Sequence, residues 1–79
     1  MLYTFQGGTN TLQLSVSKER ELRLATEMTK FRFVSLSHLL NEKQIKKLED
    51  HTKNMNNKMF DIYLIQEFQK MGYTLKNKK

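Results

Sequence analysis

Apolar and polar positions alternate at the start of the chain. Leu2, Tyr3 and Phe5 precede Gln6-Gly7-Gly8-Thr9-Asn10, and Leu12, Leu14 and Val16 then alternate with Gln13, Ser15 and Ser17. A period of two around a Gly-Gly break predicts a β-hairpin with a five-residue loop over 6–10. Residues 18–29 satisfy two periods. Leu22, Leu24, Thr26 and Met28 fit a strand, whereas Leu24, Met28 and Phe31 after Ser17 fit a helical stripe. The charged start without β-branched residues favours helix, and the continued alternation into "KFRFVSL" favours strand. The strand reading, which we follow, pairs this segment with 30–36 through a tight turn near Thr29-Lys30 and makes a four-stranded antiparallel meander.

The second half of the chain carries the helical period. Asn41 followed by Gln44 predicts a capping box, with Leu40 and Ile45 at the positions of a hydrophobic staple. Ile45, Leu48, Thr52 and Met55 then form one narrow stripe, and Asn54, Asn56 and Asn57 supply the turn chemistry that ends the helix. A second helix is expected over about 58–71. Phe60, Leu64, Ile65, Phe68 and Met71 cluster on one side of it, and Met59, Ile62 and Tyr63 fall on the opposite arc. A helix apolar on two sides needs two partners. One is the sheet, and the other is assigned to a symmetry mate, so Met59, Ile62 and Tyr63 are the expected interface of a homodimer. Gly72 is placed for a left-handed stop, with Tyr73 reaching back to Phe68. The fold class is therefore α+β: an N-terminal antiparallel sheet of three to four strands packed against two C-terminal helices. Residues 1–75 are read as one domain and 76–79 as a frayed basic tail.

Composition changes the picture most through charge. Fourteen Lys and Arg oppose eight Asp and Glu, a net charge of +6, and residues 1–17 bear no charged side chain. A surface with this excess attracts phosphate backbones through counterion release. The absence of cysteine removes disulfides, thiolate metal sites and thiol catalysis. No apolar run is long enough to span a bilayer and no secretion signal is recognisable, so a cytoplasmic protein is expected. The two histidines, His38 and His51, have no acidic pair or third ligand at a suggestive spacing. Neither catalysis nor a metal nor a cofactor is expected.

The three arginines all lie within 20–32, in and before "TKFRFVS". Burying Phe31 and Phe33 would stabilise a small fold by roughly 1.5–3 kcal/mol each, which assigns both rings to the core. The other face of that strand then displays Lys30 and Arg32, beside Arg20 and Arg23 of the neighbouring strand. Arginine suits bidentate phosphate contacts and stacking on bases. Lys43, Lys46 and Lys47, with Lys53, form a second basic surface on the first helix, interleaved with Glu42, Glu49 and Asp50. The nucleic-acid-binding residues expected are thus Arg20, Arg23, Lys30, Arg32, Lys43, Lys46 and Lys47, with Lys76, Lys78 and Lys79 adding non-specific affinity. "FRFVSL" also resembles the aromatic strand of RNA-recognition motifs. It departs from them at Arg32, where they carry a small residue, in lacking the flanking Gly, and in the order of its elements.

In length, +6 charge, lysine- and asparagine-rich composition, "RELRLATEMTKFRFVS" and basic tail, the chain resembles small early proteins of T-even-like phages. That group includes antitoxins that neutralise an endoribonuclease and bind RNA. The resemblance implies a non-enzymatic inhibitor of a host toxin or nuclease, with RNA in the complex, and carries over no site residue. The competing expectation is a phage protein-interaction module that docks on a host enzyme without nucleic acid. A DNA-binding regulator is disfavoured because neither helix reads as a recognition helix after a tight turn.

Overall fold

The computed structural model describes Met1–Lys79 as an α+β fold. Five strands, β1 (Leu2–Gly7), β2 (Asn10–Val16), β3 (Leu22–Thr26), β4 (Val34–Ser35) and β5 (Thr74–Lys78), form one antiparallel sheet in the order β4-β3-β2-β1-β5. Two helices, α1 (Glu42–Thr52) and α2 (Asn57–Lys70), lie between β4 and β5 in the chain. Neither is long and apolar enough to cross a membrane.

Alternation in the first hairpin places Tyr3, Phe5, Leu12, Leu14 and Val16 on one face, where Leu24 of β3 joins them. Phe60, Leu64 and Phe68, one per turn of α2, close over this face with Leu48 of α1. Rings of Phe5 and Phe68 stack with centroids 4.9 Å apart. The hairpin loop is tighter than the five residues expected. Gly7 pairs with Asn10, leaving only Gly8-Thr9 to turn, and Gly8 takes φ 62° as the first loop residue. A positive φ at that position belongs to turns whose twist matches the flanking strands.

The local helix signals hold. The Asn41 side chain accepts from the Gln44 amide (2.8 Å), and the Gln44 side chain accepts from the Asn41 amide (3.1 Å). Asn56 caps α2 by accepting from Met59 N (2.8 Å). At the other end Gly72 has φ 92°, its amide donates to Gln69 O, and Tyr73 N donates to Phe68 O (2.9 Å). This paired bonding is the Schellman stop expected of Gly72.

Three sequence expectations are corrected. Residues 18–29 do contain a strand, but it runs only over Leu22–Thr26, because Arg20 adopts φ 63° and the chain turns there. No strand spans 30–36: pairing is confined to Arg23↔Ser35 and Leu24↔Val34, and residues 27–33 form a surface turn. Phe31 and Phe33 are consequently not core; they are 47% and 41% exposed.

The third correction concerns the tail. Residues 76–79 are not frayed: β5 pairs with β1 across a register shift, Phe5 opposite Leu75 and Thr4 opposite Asn77, and Lys79 N donates to Leu2 O (2.7 Å). "TLKNK" has one apolar residue, and Lys76, Asn77 and Lys78 are poor strand formers, so its pairing comes from the free edge of β1. Its exposed lysines also suit an edge strand, where charge discourages further pairing.

A polar clasp ties β5 to α2. The Tyr3 hydroxyl donates to Asp61 Oδ1 (2.6 Å), and Lys78 Nζ pairs with the same oxygen (2.9 Å) while lying 5.7 Å from the Tyr3 ring centroid. Burial works against the Asp61 charge, but hydrogen bonds from Tyr3 and Lys78 and the lysine's charge outweigh it and hold the carboxyl below its usual value. Burial and Asp61 together push the Tyr3 hydroxyl up. A carboxyl whose pKa is lower folded than unfolded stabilises the fold above the unfolded value, about 3.9, and that stabilisation is lost as pH falls through the lower folded value. Asp61→Asn should therefore cost about 1 kcal/mol at neutral pH, the scale of a part-exposed pair. Its deficit relative to wild type should shrink in thermal melts taken from pH 4 downward; a deficit independent of pH would show that the charge contributes nothing.

Candidate nucleic-acid interface

The turn between β3 and β4 collects the feature that sequence reasoning misplaced. Thr29 organises it. Its hydroxyl accepts from Thr26 N (3.0 Å) and lies 3.0 Å from both Thr26 O and Arg32 O, so its single proton serves one carbonyl at a time. Backbone bonds from Lys30 N to Glu27 O, Phe31 N to Thr26 O and Arg32 N to Thr29 O complete the turn. At its base Glu27 Oε1 accepts from Thr11 N (2.7 Å), fastening the turn to the start of β2. Within this frame Lys30 and Phe31 hold φ 54° and 58° in succession. Left-handed backbone costs an L-residue roughly 1–2 kcal/mol, and strain of this kind concentrates at functional sites.

The turn presents three large apolar side chains to solvent: Phe31, Phe33 and Met28, the last 96% exposed. Lys30 and Arg32 alternate with the rings and are themselves exposed. The ion pairs of the molecule are Lys70–Glu67 and Lys78–Asp61, so neither cation of the turn has a carboxylate partner. Rings with free faces beside unpaired cations are what stacking on bases and neutralising phosphates require.

The other expected residues are not gathered here. Arg20 is committed to the fold: Nη1 donates to Thr52 O (2.8 Å) at the end of α1, Nη2 donates to the Asn57 side chain (3.2 Å), and the guanidinium lies 4.8 Å from the Phe60 ring centroid. Arg23 is exposed opposite Ser35, and it borders with Arg20 a cleft of about 920 Å³ between β3 and α1. Glu19, Glu21, Glu49 and Asp50 line the same cleft against three cations, a balance that does not favour phosphate. Lys43, Lys46 and Lys47 stand exposed on α1 among Glu42, Glu49 and Asp50. The arrangement of Lys30 and Arg32 beside Arg20 and Arg23 on paired strands is thus not found, because 30–32 lie in the turn.

Of the expected dimer residues, Met59 and Ile62 are exposed and Tyr63 is partly buried, its ring stacked on His51 at 5.7 Å. Within one chain α2 is buried on one side. His38 lies in the short 3-10 segment Leu36–His38 and His51 in the last turn of α1.

No family model, curated protein or solved structure matches this chain.

Because their rings are half exposed, Phe31→Ala and Phe33→Ala should each lower stability by less than about 1 kcal/mol, whereas Phe68→Ala should cost about 3–5 kcal/mol. Urea unfolding of the three variants decides this; a large loss at Phe31 or Phe33 would show that the rings belong to the core.

Proposed function

We propose that this protein is a small RNA-binding, non-enzymatic inhibitor that grips unpaired RNA with the 28–33 turn and acts on a nuclease toxin of the host. The observation that carries the reading is the pair of exposed rings interleaved with unpaired Lys30 and Arg32 on a strained, hydrogen-bonded turn. A globular domain gains by burying such rings, and here the chain instead spends backbone strain holding them outward. Each ring can stack on a base, contributing about 1–3 kcal/mol irrespective of sequence, while the cations neutralise phosphates on either side. The net charge of +6 adds long-range attraction. Inhibition follows if the bound RNA and the protein together occupy the toxin's substrate groove, a step that involves no catalysis by this chain.

Fluorescence anisotropy with a ten-nucleotide oligouridine tests the binding. Phe31→Ala and Phe33→Ala should each weaken it by about 1–3 kcal/mol. Arg32→Ala should reduce the slope of log affinity against log salt by about 0.7, one phosphate's share for a single strand. Variants that bind like wild type would place the site elsewhere.

A second reading, docking on a protein partner, is favoured by the exposed Met59 and Ile62 beside Tyr63. In the proposal these side chains meet their own copies in a homodimer, which gives the RNA two gripping turns. Light scattering at micromolar concentration should find a dimer for wild type and a folded monomer for Ile62→Glu, since a half-exposed position tolerates the charge in a single chain. A monomeric wild type would remove the dimer and leave the stripe to another protein.

A further inference from the structure

We infer that the turn reads its RNA as well as gripping it: a cavity beside it takes one unpaired base, guanine in preference to the other three. This rests on the RNA-binding reading above. The cavity is about 200 Å³ and lies between the start of β2, the 26–29 turn and the segment before α1. That is smaller than the roughly 300–1,000 Å³ of pockets for drug-sized ligands and suits a single heterocycle. Buried Leu24 lines it together with Leu39, and Thr11, Glu27, His38 and Tyr73 bring polar groups to its rim. Thr26, another lining residue, accepts the Phe31 amide through its carbonyl (2.9 Å). Residues 26–29 thus belong both to the cavity's lining and to the turn that carries Phe31, so a strand gripped by that turn passes beside the cavity.

Glu27 decides which base fits. Its Oε1 is held by Thr11 N at 2.7 Å, which fixes the carboxylate and leaves Oε2 without a hydrogen-bond partner or ion pair. An ionised carboxylate only accepts hydrogen bonds. Guanine alone offers it two adjacent N–H donors on one edge. Uracil would set carbonyl oxygens against it, and adenine and cytosine pair a single amino group with an acceptor nitrogen. The Thr11 bond does not by itself call for a charge, since a glutamine oxygen would accept it equally. A negative charge at the base of a turn that binds phosphate costs affinity for every RNA, and a specific donor pair on the ligand offsets that cost.

Four ten-nucleotide RNAs test this by fluorescence anisotropy at one fixed salt concentration: oligouridine, and the same strand with a single central guanine, adenine or cytosine. Wild type should bind the guanine strand about tenfold more tightly than oligouridine, the scale of one well-placed base contact. The adenine and cytosine strands should lie within about threefold of oligouridine, below that scale. Glu27→Gln keeps the Thr11 bond and removes the charge. It should bind oligouridine more tightly than wild type does, by the electrostatic argument, yet lose the guanine advantage. Equal affinity of wild type for all four strands, or a guanine preference that survives in Glu27→Gln, overturns the pocket and leaves RNA binding intact. If no strand binds, the RNA-binding reading fails and the pocket fails with it. The wild-type comparison stands alone should the variant not fold.

Discussion

The stacking of Phe5 on Phe68 joins the two halves of this molecule, and most other features are arranged around it. Phe5 sits in β1, second from one edge of the sheet, and Phe68 in the last full turn of α2. An aromatic pair in contact at 4.9 Å adds about 0.5–1.5 kcal/mol beyond the area it buries. Its position matters more than its magnitude. With Phe68 held against β1, the carbonyl of the same residue accepts the Tyr73 amide and reverses the chain. The next residues then fall onto the open edge of β1 as β5, and Lys78 reaches Asp61 and Tyr3.

This concentrates the buried surface toward one end. Tyr3, Phe5, Leu12, Leu14, Leu24, Leu64 and Phe68 are the largest fully buried side chains, and only Leu24 comes from beyond the first hairpin and α2. A chain of 79 residues has little apolar material to extend that core across five strands. At the far edge β4 pairs over two residues, and the segment leading to it is held by turn hydrogen bonds around Thr29 instead of by packing. Met28, Phe31 and Phe33 consequently stay exposed there, and the fold does not depend on burying them.

How far each element was legible from sequence follows from the range of the interactions that make it. Asn41 with Gln44 and Gly72 with Tyr73 act across a few residues, so the cap of α1 and the stop of α2 could be read directly, whereas the run Asn54, Asn56, Asn57 marked the boundary between the helices without singling out Asn56 as the cap. The alternation of Leu12, Leu14 and Val16 identified a strand and its buried face together. Phe31 and Phe33 misled for the same reason. Period-two spacing is shared by a strand and by a turn that throws alternate residues outward, and Thr29's bonds to Thr26 and Arg32 gave no signal in the pattern. Two consecutive left-handed residues at Lys30-Phe31, neither Gly nor Asn, could not have been anticipated from propensity.

By itself the sequence determined the α+β class, the inward face of the first hairpin, both helices with the capping box of α1 and the glycine stop of α2, and the net charge of +6. These depend on composition and on contacts within one turn or one hairpin. Tertiary structure alone decided that "TLKNK" is a strand, that Arg20 clamps the junction of α1 and α2, that the rings of "TKFRFVS" face solvent, and that Glu27 stands beside a cavity of about 200 Å³. The outward rings follow from Thr29's bonds to Thr26 and Arg32, which a period-two pattern does not reveal. The other three require residues far apart in the chain: Leu75 with Phe5, Arg20 with Thr52 and Asn57, Glu27 with Thr11. A local pattern carries no information about such partners, since the free edge, the carbonyl or the amide that completes the contact exists only once the rest of the chain has folded around it.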